Sequence, residues 1–426
     1  MNSNLLARQV VHFTVVLFAC LSFGLRGAPV TYAVHVSLDG MGAKYLQFYV
    51  TNAPAQFPNF NRLIAQGAST FNARCDYDFS ETVPNHISMF TARPVSQPAG
   101  QTNTLHHGYS NNFPAGSDTI HANGNPAVPY KSSFFDVAHD YGRSTAFYAS
   151  KTRLQICDRS YDAVYGALDL IGADNGRDKI DFSSFVETPT PTLDVSNLVT
   201  IVLTNLTSAA PRNYSFIHLS EPDLTGHSSG WGSANYSNSV RIVDVQLGRI
   251  LDTLITNPVL ANATAFIVSA DHGGSGSSHT TATLLTNYTI PFFIWNPPNF
   301  SAGDAYALFA NRENPGTNRP SYNAVPQPIR NLDGGNIALS LLDLPPIPGS
   351  FAVPIFDVRM RIAQATNGTR TIWWPATPSA FVLECTPTLD GVVQWQAISN
   401  GIVNNGGVMV YSVTNLGNQF YRLRKL

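Results

Sequence analysis

The chain is poor in charge. Of 426 residues only 25 are Lys or Arg and 27 are Asp or Glu, 12% in all, about half the usual ~25% share. The two signs nearly cancel to a net of -2, so no broad basic surface exists to grip a polyanion and nucleic-acid binding is not expected. Cysteine is scarce too. The four thiols, Cys20, Cys75, Cys157 and Cys385, have no short paired spacing, so a thiolate metal site is not expected. Whether Cys75 and Cys157 form a disulfide stays open, because spacing does not report Cα separation. After Leu25 no segment is long and apolar enough to span a bilayer. What the chain has in quantity is core material: 44% hydrophobic and 11% aromatic residues exclude intrinsic disorder.

The N-terminus carries Arg8, an apolar run from Val10 to Leu25, and then Arg26, Gly27 and Ala28. That order reads as an export signal spanning residues 1–27, which predicts a secreted or periplasmic protein. From residue 28 to 358, short β-branched runs alternate with helical patterns, which predicts an α/β domain with a doubly wound, mostly parallel sheet. Four runs end in polar residues beside Gly or Pro: Tyr32–Leu38 before Asp39, Ser144–Ala149 before Ser150 and Lys151, Tyr214–Leu219 before Glu221 and Asp223, and Ala265–Ala270 before Asp271 and His272. Open α/β sheets bind ligands beyond the carboxyl ends of their strands, so these endings are expected to meet in one crevice. Val240–Ile255 is amphipathic at helical spacing, with Ile242, Val245, Leu247, Ile250, Leu251 and Leu254 apolar. After a linker over residues 359–372, short strands between Gly, Asn and Pro turns predict a β-sandwich-like module over residues 373–426. That module has no His, and no catalysis is placed there.

The chemistry lies in Asp39, in Asp223 with His227, in Asp271 with His272, and in His279. Carboxylate and imidazole are ligands suited to Zn²⁺, and four strand ends together supply enough of them for two adjacent ions. Between the first and second of these strand ends, Ser80–His86 precedes an apolar stretch. Thr82 is the expected N-cap and Pro84 is compatible with a first helical turn. A helix N-terminus favours phosphate, and a hydroxyl beside a metal cluster is a candidate nucleophile.

In this order, Asp39-Gly40, Thr82 through His86, Asp223 with His227, and Asp271 through Gly273 resemble the alkaline phosphatase superfamily, and in particular its nucleotide pyrophosphatase/phosphodiesterase branch. The resemblance spans roughly residues 30 to 350. It implies one Zn²⁺ held by Asp39, Thr82, Asp271 and His272, and a second held by Asp223, His227 and His279. It also implies a threonine phospho-enzyme and a small-molecule phosphate ester as substrate. Asn112, with Asn111 as competitor, matches the family's phosphate-binding amide in a His-Gly-x-x-x-Asn stretch, and Ser96–Thr104 looks like an insertion. Lys151 and Arg153 resemble the Lys-x-Arg pair with which phosphomonoesterases of the superfamily embrace non-bridging oxygens. A phosphomonoesterase is therefore the alternative, and an inactive surface binding protein is the alternative outside enzymes. Val83 stands where the nucleotide-hydrolysing branch has an aromatic residue, and the Cys/Ser-x-Pro-x-Arg of sulfatases is missing.

Overall fold

The computed structural model describes residues 30–171, 176–296, 302–356, 360–364, 370–375, 381–391, 393–405, 408–413 and 419–425. The expected export signal lies outside the described residues, and among the described residues no helix is long and apolar enough to cross a membrane. The centre is a sheet of eight strands: β1 (Tyr32–Leu38), β2 (Ala68–Arg74), β3 (Thr145–Ala149), β4 (Ser183–Phe185), β5 (Tyr214–Leu219), β6 (Thr264–Ala270), β7 (Thr289–Trp295) and β8 (Gly303–Asp304). Their order is β4-β3-β5-β1-β6-β7-β2-β8. The four runs singled out above are therefore neighbours, β3-β5-β1-β6, and every pairing among them is parallel. They are near-continuous apolar runs because both faces are covered, as parallel strands require.

Register turns that arrangement into a site. Leu38 pairs with Leu219 on one side and Ala270 on the other, so Asp39, Ser220 and Asp271 leave the sheet at one level. Strand β7 runs against β6 and against β2. The connection from β6 to β7 carries only a four-residue helix, Leu285–Tyr288, so the chain turns back at the crevice and returns antiparallel.

Helices cover the sheet in two groups. Thr82–Thr91, Phe134–Asp140 and Asp333–Leu341 pack together, whereas Pro58–Gln66, Pro191–Leu206, Glu221–Ser229 and Ala234–Thr256 form the other group. On the first side, Phe134 stacks on Tyr214 and Phe216, and Phe90 meets Phe216 edge-on, so alternate β5 residues face that layer. The helix expected over Val240–Ile255 runs from Ala234 to Thr256. Its buried stripe is Val240, Val243, Leu247, Ile250, Leu251 and Leu254, whereas Val245 is 56% exposed, because two residues at 3.6 per turn carry it to the side of the helix opposite Val243.

The C-terminal strands form two small antiparallel sheets. One contains Arg361–Gln364, Arg370–Pro375, Ile402–Asn405 and Val408–Val413, and the other Phe381–Thr386, Gln396–Ala397 and Phe420–Lys425. Arg361–Gln364 pairs with Arg370–Trp373, so much of the stretch expected to be a linker, residues 359–372, is sheet. The small core of Ile372, Trp374, Leu383 and Val413 takes in Ala310 and Ile355 of the larger domain. Cys75 and Cys157 are separate, buried, free thiols, so they form no disulfide.

Candidate active site

Thr82 is the first residue of its helix, not the cap. Glu81 occupies the cap position and makes no side-chain cap bond, while Thr82 is 1% exposed. The threonine hydroxyl is thus not committed to capping Asn85 or its neighbour. Behind it, His86 Nδ1–H donates to the Thr82 carbonyl at 2.7 Å, and Ser37 Oγ–H donates to His86 Nε2 at 2.9 Å. This fastens the start of the helix to β1.

Asp39, Asp271 and His272 form one group of ligand atoms within 4.8 Å of one another, and Asp223, His272 and His279 form a second. His272 Nε2 lies 3.3 Å from Asp271 Oδ2 and 3.6 Å from Asp39 Oδ1. Asp223 Oδ1 lies 3.5 Å from His227 Nε2 and 3.6 Å from His279 Nε2, and the two imidazole nitrogens are 3.1 Å apart. Asp39, Asp223, His227, Asp271, His272 and His279, six of the seven expected ligands, therefore lie together. His272 faces both groups, where it had been expected to serve one.

The three histidines are aimed alike. His272 Nδ1–H donates to the Gly273 carbonyl at 2.8 Å, His227 Nδ1–H to the Ser277 carbonyl at 3.0 Å, and His279 Nδ1–H to the Ser80 carbonyl, while Ser80 Oγ–H donates back to the His279 carbonyl. Each Nε2 lone pair then points into the cleft, the arrangement that orients metal-binding histidines.

The residues fit a cation. Asp39 Oδ1, Asp223 Oδ1, Asp271 Oδ2 and His272 Nε2 are all buried and none has a hydrogen-bond partner. Four orphaned acceptors converging on one cleft are costly unless something positive satisfies them. The acidities agree. Burial, and then the charges of Asp39 and Asp223, push the Asp271 carboxyl well above the usual carboxylate range. Burial would raise Asp39 as well, but Lys151 and His218 outweigh it and hold that carboxyl well below its ordinary value. Burial, followed by the neighbouring His272, lowers His279 to about 3, so its imidazole is neutral.

Close backbone contacts bring these loops together. Gly40 has φ +69°, and a Cβ there would lie 2.7 Å from Asp223 Cα. Trp231 presses on Gly226 and Gly274 and donates from Nε1 to the Gly40 carbonyl at 2.8 Å, joining three ligand segments.

Of the two asparagines, Asn111 closes a local turn with the backbone of Phe113, whereas Asn112 Oδ1 accepts the Val83 N–H at 2.9 Å and so lies beside Thr82. Lys151 Nζ is 2.7 Å from Asp39 Oδ2 and 2.6 Å from Asp223 Oδ2. Arg153 is apart from it, with its guanidinium 4.6 Å over the ring of Phe113. The Ser96–Thr104 stretch reaches a separate cleft of about 670 Å³, lined by Gln101, Tyr322, Phe351, Val353 and Ile355 but by none of the ligand residues.

His218 was not singled out in the sequence, and His86 entered only as the last residue of the Thr82–His86 stretch. His218 Nε2–H donates to Asp39 Oδ2 at 2.9 Å, and its ring meets that of His86 edge-on at 4.8 Å. The one signal for His218 was alternation, since it is the polar third member of the series Tyr214, Phe216, His218 on one face of β5.

The sequence model of the type I phosphodiesterase / nucleotide pyrophosphatase family matches residues 33–98 and 101–291, more than half of the chain. The chain belongs to that family. The match covers Asp39, Thr82, Asp223, His227, Asp271, His272 and His279, and it breaks only at residues 99–100, inside the stretch read as an insertion. Among curated proteins of the family, ectonucleotide pyrophosphatase/phosphodiesterase family member 3 of Rattus norvegicus is 26% identical over 265 residues, 62% of this chain and 27% of that protein. Venom phosphodiesterase 2 of Crotalus adamanteus is 25% identical over 286 residues, 66% of this chain and 32% of that protein. The chain thus spans about a third or less of the length of these relatives. Among solved structures, murine ectonucleotide pyrophosphatase / phosphodiesterase 5 in complex with AMP aligns with TM-score 0.48 and 12% identity over 75% of this chain and 96% of that one. An alkaline phosphatase superfamily protein from Vibrio parahaemolyticus aligns with TM-score 0.48 and 14% identity over 82% of this chain and 76% of that one.

Proposed function

We propose that the protein is an exported, zinc-dependent phosphodiesterase that works through a phosphothreonine at Thr82. Asp39, Thr82, Asp271 and His272 would hold one Zn²⁺, and Asp223, His227 and His279 the other. The observation that carries this reading is the set of buried, unpartnered acceptors of Asp39, Asp223, Asp271 and His272 in one cleft. Bound there, the two ions would supply charge for the phosphate oxygens and acidify the hydroxyl and the water that attack in turn.

The chain's own groups divide the rest. Thr82 Oγ attacks phosphorus, the ester oxygen leaves and takes up a proton, and water then cleaves the phosphothreonine to regenerate the hydroxyl. In the first turn of the Thr82–Thr91 helix the Val83 N–H is taken by Asn112 Oδ1, Pro84 has none and the Asn85 N–H bonds the Glu81 carbonyl, which leaves the Thr82 N–H to meet the phosphate, while Asn112 stands over the same turn to bind a non-bridging oxygen through its amide N–H. The neutral imidazoles of His272 and His279 keep their lone pairs available, because each Nδ1 proton is held by a carbonyl. Residues 28–358 would form the catalytic unit and residues 373–426 the core of the accessory module. The Arg8–Ala28 sequence and the likeness to an ectonucleotide pyrophosphatase/phosphodiesterase support export of the chain.

The test is hydrolysis of bis(p-nitrophenyl) phosphate by the purified protein together with its metal content. About two zinc ions per chain and loss of activity in a strong chelator are expected. Asp271→Ala and His227→Ala should each lose metal and turnover together. Full activity in chelator would remove the two-metal reading.

A further inference from the structure

Lys151 lies two residues beyond the end of β3, and β3 is separated from β1 only by β5. Its side chain is 2% exposed. Its ammonium lies 2.7 Å from Asp39 Oδ2 and 2.6 Å from Asp223 Oδ2, so one cation joins a carboxylate from each half of the proposed metal site. The other oxygens, Asp39 Oδ1 and Asp223 Oδ1, are the ones without a partner. Each carboxylate is thereby divided into one oxygen held by the chain and one left for a metal. His218 adds a second donor to the held oxygen of Asp39.

We propose that Lys151 is the internal counter-ion of this site, a positioning residue that joins its two halves and does not touch substrate. The inference rests on the metal-site reading above, and it departs from the phosphate-embracing role that the Lys-x-Arg resemblance implies. A lysine has three N–H bonds, and two of these are directed at buried carboxylates. Arg153, the other member of the pair, lies over the Phe113 ring and does not converge with Lys151. Without Lys151, three buried carboxylates, Asp39, Asp223 and Asp271, would share the cleft with no cation from the chain touching them. Lys151 lets the sheet close before metal arrives and fixes the spacing of two carboxylates, one for each metal.

The experiment compares the full chain with Lys151→Met, metal-free and zinc-loaded. Metal-free Lys151→Met should melt well below metal-free wild type, and excess zinc should close most of that gap. The zinc-loaded variant should lose a similar factor, about 10–100-fold, on p-nitrophenyl phosphate and on its bis-ester, because the lysine acts through the ligands and not on the extra charge of the monoester. Cobalt-substituted protein should show shifted visible bands in the variant, which a remote structural role would not produce. A metal-free variant that melts like wild type, with loss confined to the monoester, would overturn the proposal. If Lys151→Met alone does not fold, adding Asp223→Asn removes one uncovered charge and should restore folding; a double variant as unstable as the single one would also overturn it. The metal-free comparison needs no zinc, so its outcome is separate from the zinc content of wild type, which tests the underlying reading.

Discussion

Asn112 accepts the backbone N–H of Val83 through Oδ1 at 2.9 Å, although the two residues are 29 apart in the chain. That bond pins the loop after His107 to the residue following Thr82 and fixes which face of Asn112 looks into the cleft. The loop is anchored a second time where His107 Nε2 meets Ser88 Oγ at 3.1 Å, one and a half turns further along the same helix.

Asn112→Ala should lower kcat on a diester by on the order of 10²-fold to 10³-fold, the cost of removing one donor from a developing oxyanion, while zinc content stays at the wild-type level. Asn111→Ala should be nearly silent, because that side chain only closes a turn with Phe113. Steady-state kinetics of the two variants check this, and equal losses in both would reverse the choice between them.

Thr82→Ala should abolish turnover but keep most of the metal, since Asp39, Asp271 and His272 remain in the first group. Thr82→Ser should retain part of the rate. Acid quenching of wild type with a labelled substrate should trap phosphate on Thr82, which mass spectrometry of the peptide reads directly. A Thr82→Ala protein as fast as wild type would mean that water attacks without an enzyme ester.

Gly40→Ala should damage the site without removing a single polar group. The residue has φ +69°, and the new Cβ would meet Asp223 Cα at 2.7 Å. Left-handed backbone alone costs about 1–2 kcal/mol for a residue with a side chain, and the overlap adds to it. A lower melting temperature together with weaker zinc binding is expected, the second because Asp39 and Asp223 can no longer approach. Unchanged zinc affinity would show that the two loops are able to separate freely.

Acid should destabilise the protein through histidines outside the metal cleft. Burial lowers His35 to about 3 and His121 to about 4, against an ordinary value of 6.5. The unfolded chain then binds protons below pH 6.5 that the folded one refuses, so stability is complete above 6.5 and is lost as pH falls toward 3–4. For fully buried His35 the loss at pH 5 is about 2 kcal/mol. Urea midpoints at pH 7.5 and pH 5 check this. In His35→Phe, which suits a pocket formed with Phe134 and Phe216, the difference should shrink.

The strand ends were readable because each buried strand is short, apolar and closed by a polar residue beside Gly or Pro, a pattern that needs no knowledge of neighbours. Thr82, Asn112 and the six other proposed ligand residues followed from that pattern and from family likeness. What escaped depends on neighbours. His218 reads as a strand residue until β1 is known to lie beside β5, and Asp39, its partner, is 179 residues away. Lys151 reads as a solvated turn or a phosphate clamp until the same adjacency puts two carboxylates around it. The reversal of β7 was hidden because Ile290–Trp295 is as apolar as any parallel strand, and only the lack of a crossover helix before it gives its direction. Val245 was misplaced because apolar spacing along a helix of 23 residues allows more than one stripe.

The central position of β1 affects how the chain is made. It is the first strand in sequence, yet its two edges are covered by β5, which begins at Tyr214, and β6, which begins at Thr264. A chain emerging N-terminus first therefore exposes both hydrogen-bonding edges of Tyr32–Leu38 until β5 has followed, Asp39 and His218 being 179 residues apart, and one edge until β6 has followed, Gly40 and Asp271 being 231 apart. Through that interval the strand is a template for mispairing with other chains, and the native sheet cannot close by local steps. A protein of this topology gains from being held unfolded until residue 270 is available, a condition that the proposed export would meet.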